Sequence, residues 1–324
     1  MKAKILVYAL PTLILATIHL ADAQQPGKIS WIGYLTGSGL SPNQAFVQGM
    51  RDLGYVEAKN IAFVFRTTEG NPERYADLAA ELVRLKVEII VADFTSAALA
   101  AKKATSTIPI VMTAGTDPVG TGLVASLARP GGNVTGLTNI SGELGGKALE
   151  LLKETVPKLN RVAILRTAGG AADDVFVKET EVPARVLGVQ LIPVMVQGAD
   201  DFEGAFRSMT KERANGLLMR LLPNTYSVPF KRVADLTMKS RLPSIAQQLT
   251  WTDAGGLMSY GADPNINYRR AATYVDKILK GTKPADLPVE APTKFELRIN
   301  LKTAKQIGVT IPQSVLYRAD KVIK

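Results

Sequence analysis

Short apolar runs alternate along this chain with segments whose apolar residues recur at helical spacing, and such an alternation folds as a parallel sheet flanked by helices. Lys28 to Leu35 reads as the first strand and Thr36 to Leu40 as a loop. Ser41-Pro42-Asn43-Gln44 combines a capping box with an early proline, so a helix runs to Leu53 and stops at Gly54. Asn60 to Thr67 is the second strand. Asn71-Pro72-Glu73 opens a helix with Tyr75, Leu78, Ala79, Leu82 and Leu85 on one face. Glu88 to Phe94 is the third strand, Thr95-Ser96 begins an alanine-rich helix, and Pro109 to Ala114 is the fourth strand. Thr116-Asp117-Pro118 then reads as a helix start, with Asp117 as cap and Pro118 in the first turn. Gly120 and Gly122 weaken that helix, Arg129-Pro130-Gly131-Gly132 ends it, and Asn133 to Thr138 resumes strand.

After Asn139 the alternation restarts. Helices over 142–156, 174–187 and 228–240 separate strands at 161–166, 189–196, 216–221 and 243–247, with Asp200 and Glu203 as a further cap pair. Two alternating blocks in 324 residues predict two lobes of similar architecture. Gly255 to Tyr260 reads as a return strand, and Asp263-Pro264 starts a helix that ends at Gly281. The tail holds an alternating strand, Phe295 to Asn300, a short helix and a final segment containing Pro312.

Composition narrows the chemistry. Lys2 and Lys4 precede an apolar run from Ile5 to Leu20 and the small-x-small ending Ala21-Asp22-Ala23, which has the form of a signal peptide over residues 1–23. An uncleaved anchor is the rival reading; Pro11, His19 and the Ala-x-Ala ending favour cleavage, with Gln24 as the mature start. The chain has no cysteine, so it has neither disulfides nor the thiol that lipoprotein acylation needs. Its one histidine, His19, lies inside the signal segment. The mature chain therefore lacks Ser-His and Cys-His catalysis and the usual zinc ligands. A net charge of +10 admits nucleic acid, but Lys and Arg are spread along helices rather than gathered in a tract. These features predict a soluble protein of the Gram-negative periplasm with no nucleic-acid partner.

Several stretches carry a resemblance to a known family. GMRDLGYVEAKNI from Gly49, TEGNPERYADLAAELVRLKVEIIVA from Thr68, the region of Thr116 to Gly136, and the closing run from Ala254 through Leu316 resemble the ABC transporter substrate-binding proteins, whose better-understood members bind aromatic amino acids such as tryptophan. The resemblance covers Lys28 to Lys324. It implies an α/β fold of the type I periplasmic binding protein kind, with two Rossmann-like lobes of parallel sheet joined by a three-strand hinge. Lobe 1 is then 28–139 plus about 261–287, and lobe 2 about 140–260 plus 288–324. The alternation itself marks a crossing near Asn139 to Ser141; the resemblance adds crossings near Tyr260 to Asp263 and Leu287 to Pro292. Thr167-Ala168-Gly169-Gly170 departs from the family pattern, as does Ile245 through Trp251, and both loops are expected to face the cleft, where they would alter the ligand.

Ligands of such folds sit beyond the carboxyl ends of the strands. Thr95 and Ser96 stand at a helix start whose free amides and dipole suit a carboxylate, or they are ordinary caps. Thr116 and Asp117 repeat that geometry one strand later: Thr116 is placed for ligand contact, and Asp117 either accepts a ligand ammonium or only caps the helix. Ser38 and Gly39 allow close backbone approach in the first loop, or form a plain exposed turn. Across the cleft, Asn224 and Thr225 follow a strand, and the resemblance implies an asparagine contact in this region. Gln247 and Gln248 end a strand with uncharged amides, and Asn139 at the first crossing joins the set. Trp251 or Tyr226 is placed to stack on a flat ligand or simply packs; Trp31, Phe46, Phe63 and Phe65 read as core. Gly131-Gly132 and Gly169-Gly170 are turns, since no Lys-Ser/Thr follows them.

The resulting expectation is a monomeric, non-enzymatic receptor without cofactor, which captures an amino acid or other carboxylate-bearing solute by lobe closure and delivers it to an ABC permease. A sensory receptor on the same fold and an exported hydrolase using paired carboxylates are the alternatives. A repressor would need a DNA-binding helix pair where the signal segment stands.

Overall fold

The computed structural model describes residues 29–37, 39–139, 142–167, 171–220 and 230–324. The signal segment, Ser38, Asn224, Thr225, Tyr226 and the Gly169-Gly170 turn lie outside the described residues. Among the described residues no helix is long and apolar enough to cross a membrane.

The first block forms β1 (Ser30–Thr36), α1 (Gln44–Asp52), β2 (Ile61–Thr67), α2 (Tyr75–Arg84), β3 (Ile89–Ala92), α3 (Phe94–Ala104), β4 (Ile110–Thr116) and β5 (Val134–Asn139). These strands make a five-stranded parallel sheet in the order β2-β1-β3-β4-β5. Alternate residues serve opposite faces, as the two-residue period of a strand requires. Leu35, Ile90, Ala92, Ile110 and Met112 pack on the alanine face of α3, whereas Ile32, Tyr34, Val91 and Val111 meet Phe46 and Met50 of α1.

The second block runs α4 (Gly142–Thr155), β6 (Arg161–Thr167), α5 (Ala171–Val186), β7 (Gln190–Val196), α6 (Phe202–Lys211), β8 (Gly216–Arg220), α7 (Phe230–Lys239), β9 (Ser244–Ala246), α8 (Thr250–Asp253) and β10 (Met258–Gly261). The chain then returns to the first sheet as α9 (Pro264–Leu279), started by Asp263, whose carboxylate accepts from the Asn265 N–H at 2.9 Å. Gly49 of α1 lets α9 approach closely, for a Cβ there would lie 2.9 Å from that of Ala272. Past α9, Glu290 pairs with the free edge of β5, donating its N–H to Gly136 O and accepting from the Thr138 N–H, and Arg270 grips its carboxylate at 2.7 and 2.6 Å. The tail completes the second sheet as β11 (Glu296–Asn300), α10 (Leu301–Ile307), α11 (Gln313–Leu316) and β12 (Lys321–Ile323). That sheet has the order β12-β11-β10-β9-β8-β6-β7, and its one antiparallel pair is β10 with β11.

Four expectations need correction. The segment after Thr116 is not a helix: residues 117–133 are turns and bends. Asp117 sits at φ +43° and its Oδ1 accepts from the Gly120 N–H at 2.8 Å, while Gly122 takes φ +71°, so the cap closes a single turn and the left-handed residues stop its propagation. The cap of α1 is Asn43, which accepts from Ala45 N–H at 2.8 Å, rather than Ser41. Asp201, not the Asp200–Glu203 pair, gathers the amides of Gln197 and Gly198. Trp31 is 51% exposed because it stands at the open start of β1, ahead of the continuously buried run Ile32 to Thr36, although its face is the one that Leu35 buries further along.

Candidate functional site

Both sheets point their carboxyl ends at a cavity of about 480 Å³. Its first wall begins where β3 ends. Asp93 is buried, and its carboxylate accepts from Thr36 Oγ1 at 3.0 Å, Thr113 Oγ1 at 2.6 Å and Tyr268 Oη at 2.8 Å, which ties β1, β4 and α9 together. Burial pushes the Asp93 carboxyl up, and the three hydrogen bonds pull it back. Burial and the nearby Asp93 charge push the Tyr268 phenol far up as well. Phe94 follows at φ +67°, a backbone state unfavourable to any bulky side chain, and its ring lines the cavity.

The next strand brings its own irregularity. β4 pairs Met112 with Gly136 and then Gly115 with Thr138, so Thr113 and Ala114 together stand opposite the single residue Leu137. This bulge delivers Thr113 and Ala114 to the cavity wall. Gly136, at φ +126°, is required opposite it, since a Cβ there would meet Met112 O at 2.2 Å. Asn139 at the end of β5 and Pro264, Asn267 and Tyr268 on one face of α9 close this side, with Asn267 Nδ2 donating to Asn139 Oδ1 at 3.4 Å.

The second wall comes from the other sheet. Arg220 ends β8 with only 3% exposure, its guanidinium 5.1 Å from the centre of the Phe176 ring. Phe230 opens α7 and meets the buried Trp251 edge-on at 6.1 Å. Gln247, Gln248, Leu249 and Thr250 run from β9 into α8, and Leu144 of α4 completes the apolar surface. Gln248 Oε1 is buried without a hydrogen-bond partner among the described residues. The cavity thus offers aromatic rings from both sheets, several amides and one guanidinium, and among the described lining residues no carboxylate.

Of the residues singled out in the sequence, the cavity brings together Asn139, Gln247 and Gln248. Thr95 does not line it; its hydroxyl accepts the Thr116 N–H at 2.8 Å and so fastens α3 to the end of β4. Ser96 is exposed beside a separate depression between α2 and α3. Thr116 is buried, Asp117 is spent on its turn, and Gly39 is exposed away from the lining. Trp251 lies behind Phe230 as core. The lining residues that sequence reasoning passed over carried signals: Phe94 and Arg220 each border a strand's carboxyl end, and Pro264, Asn267 and Tyr268 share the i, i+3, i+4 spacing of one helical face.

Two α/β lobes joined by three crossing segments, with a ligand-sized cavity between their strand ends, define a type I periplasmic binding protein fold. The chain belongs to the family described as ABC transporter substrate binding protein, whose profile matches residues 35–323. It is similar to the tyrosine-binding protein of Clostridioides difficile (strain R20291), with 27% identity over 266 residues, 82% of this chain and 76% of that protein. Its structure is similar to that of a conserved domain protein from Vibrio cholerae, at TM-score 0.84 and 29% identity, covering 91% of this chain and 100% of the other. A Streptococcus pneumonia ABC domain in complex with L-Trp gives TM-score 0.83 and 26% identity over the same shares.

Proposed function

We propose that this chain is the monomeric periplasmic receptor of an ABC importer, which captures an aromatic, carboxylate-bearing solute between its lobes and hands it unchanged to the membrane permease. The observation that carries this reading is the pairing of Phe94 from one lobe with Phe230 and Arg220 from the other around one cavity. Aromatic faces suit a flat ligand, and a buried guanidinium suits a carboxylate. A ligand that touches both walls binds the closed form better than the open one and shifts the population toward closure. Similarity to proteins named for tyrosine binding and solved with L-Trp supports the aromatic class. A non-catalytic role agrees with a sequence that has no Cys and a single His at position 19. The lobes are taken as 28–139 with about 261–290, and about 140–260 with 291–324; the boundary expected after residue 287 moves past Glu290, which pairs with β5, and Val289, which packs in the first-lobe core.

Calorimetry against a panel of amino acids and aromatic acids, paired with small-angle scattering, tests the reading. Saturable binding of an aromatic acid with a fall in the radius of gyration is expected. Binding without compaction, or turnover of the bound solute, overturns it.

A further inference from the structure

The carboxyl end of the first-lobe sheet borders the cavity, and its amino end gathers the start of β1 with the connections from α1 to β2 and from α2 to β3. Backbone hydrogen bonds hold the three together: Ser30 N–H donates to Asn60 O at 3.1 Å, and Glu88 N–H donates to Trp31 O at 2.8 Å. Thirteen large apolar side chains stand exposed among the described residues, and five of them, Ile29, Trp31, Leu53, Val56 and Leu85, belong to this one end. Scattered exposed apolar residues are ordinary, whereas a gathering of them marks a surface that binds something. Ile29 and Trp31 share a face by the strand period, and Leu85 ends the helix that packs on that face, whose Leu82 meets Gly33.

Charge decides what this end fits. The same helix ends and connections carry Arg51, Lys59, Arg84 and Lys86, all exposed, against Glu57 and Glu88; Asp52 is already paired with Arg269 at 3.0 Å. An exposed indole flanked by aliphatic side chains and cations is the composition that rests on an anionic bilayer, with the ring at headgroup depth and the cations on the phosphates. The leader fits less well, since it carries Lys2 and Lys4 against Asp22 alone and so repeats the sign of this end. It does bring this end to a membrane. Residues 21–28 separate the apolar run Ile5 to Leu20 from Ile29, and that length of extended chain reaches at most about 28 Å.

We propose that the amino end of the first-lobe sheet is a docking surface for an anionic lipid bilayer, with the Trp31 indole in the headgroup layer. The cavity lies at the other end of the same sheet, so the docked protein keeps its ligand site clear of the lipid.

The test mixes the chain from Gln24 onward with vesicles of phosphatidylcholine alone, or of phosphatidylcholine and phosphatidylglycerol in equal parts. Sedimentation gives the bound share, and emission reports Trp31, because Trp251 is buried throughout. The anionic vesicles should bind about ten-fold tighter or better, with a blue shift, and raised salt should release the protein. Lys59→Glu combined with Lys86→Glu should weaken binding about ten-fold or more. Trp31→Ser should weaken it by about the same factor and remove the blue shift. All three positions are exposed and none lines the cavity, so the outcome is independent of the capture reading. No binding to either vesicle, equal binding to both, or variants that bind as wild type does overturn the proposal. Two lipid-free controls name the rival occupants: a peptide of residues 1–23 that shifts the Trp31 emission assigns the surface to the leader, and a dimer lost in Trp31→Ser assigns it to a second copy. Either result overturns the lipid surface.

Discussion

Gly261 at the end of β10 lies so close to Gln247 at the end of β9 that a Cβ on it would stand 1.9 Å from the Gln247 carbonyl oxygen. Both residues line the cavity, so strand packing and ligand wall are fixed by the same contact. Gly261→Ala must displace backbone, which does not yield as a side-chain tip does. Overpacking of this kind costs roughly 1–3 kcal/mol. Chemical denaturation should report that loss, and calorimetry should report weaker binding; unchanged values in both would refute the contact.

Phe94 sets a different trade. Its left-handed backbone penalises any side chain by roughly 1–2 kcal/mol, and glycine escapes the penalty. Phe94→Gly should therefore be more stable than Phe94→Ala by about 1 kcal/mol in denaturant melts. Both variants lose the ring from the cavity, and both should bind aromatic ligands about ten-fold more weakly or worse. An alanine variant as stable as the glycine variant would dismiss the strain.

Arg220 carries the cationic end of the cavity. Removing one partner of a buried charge pair typically costs about 2–5 kcal/mol of binding. Arg220→Gln should impose a loss in that range on carboxylate ligands and spare their methyl esters. Arg220→Lys should restore little, because the planar fork and its stacking on Phe176 are not reproduced. Equal losses for acid and ester would mean that the residue acts on shape rather than on charge.

The ligand-free protein should show the Asp93 carboxyl in its pH profile. Burial raises its folded value above the unfolded one, so in the window between them the folded state binds more proton than the unfolded state. The contribution of this group is full below the ordinary aspartate value of about 4 and is lost as pH rises through the raised value. Tyr34, Tyr75 and Tyr268, the phenols whose values the Asp93 charge also lifts, stay neutral there. Relative to wild type, Asp93→Asn should gain stability as pH rises from about 4 in urea melts. A constant difference across that range would contradict the assignment.

The sheets were legible because their strands obey simple patterns. Ile89 to Ala92 and Ile110 to Thr116 are buried throughout, as apolar runs in a doubly covered parallel sheet must be. Caps at Asn71 and Asp263 marked helix starts correctly. Asp117-Pro118 misled because a cap is a local signal, and whether a helix follows depends on the glycines downstream. In the cavity, Gln247 and Asn139 could be read as strand-end positions. Phe94 could not, because it reaches the cavity through a positive φ that its residue type argues against, and Thr113 depends on a bulge that no periodicity announces. Tyr268 arrives on a helix far along the chain, so only the tertiary crossing places it beside Asp93.

The two tryptophans sit in contrasting settings. Trp31 is half open to water on β1, whereas Trp251 is sealed in the second lobe with its ring edge-on to Phe230, itself part of the cavity wall. The molecule consequently contains its own optical gauge: the emission of the sealed indole follows any tilt of its aromatic neighbour, and that of the wetted one supplies a steady reference.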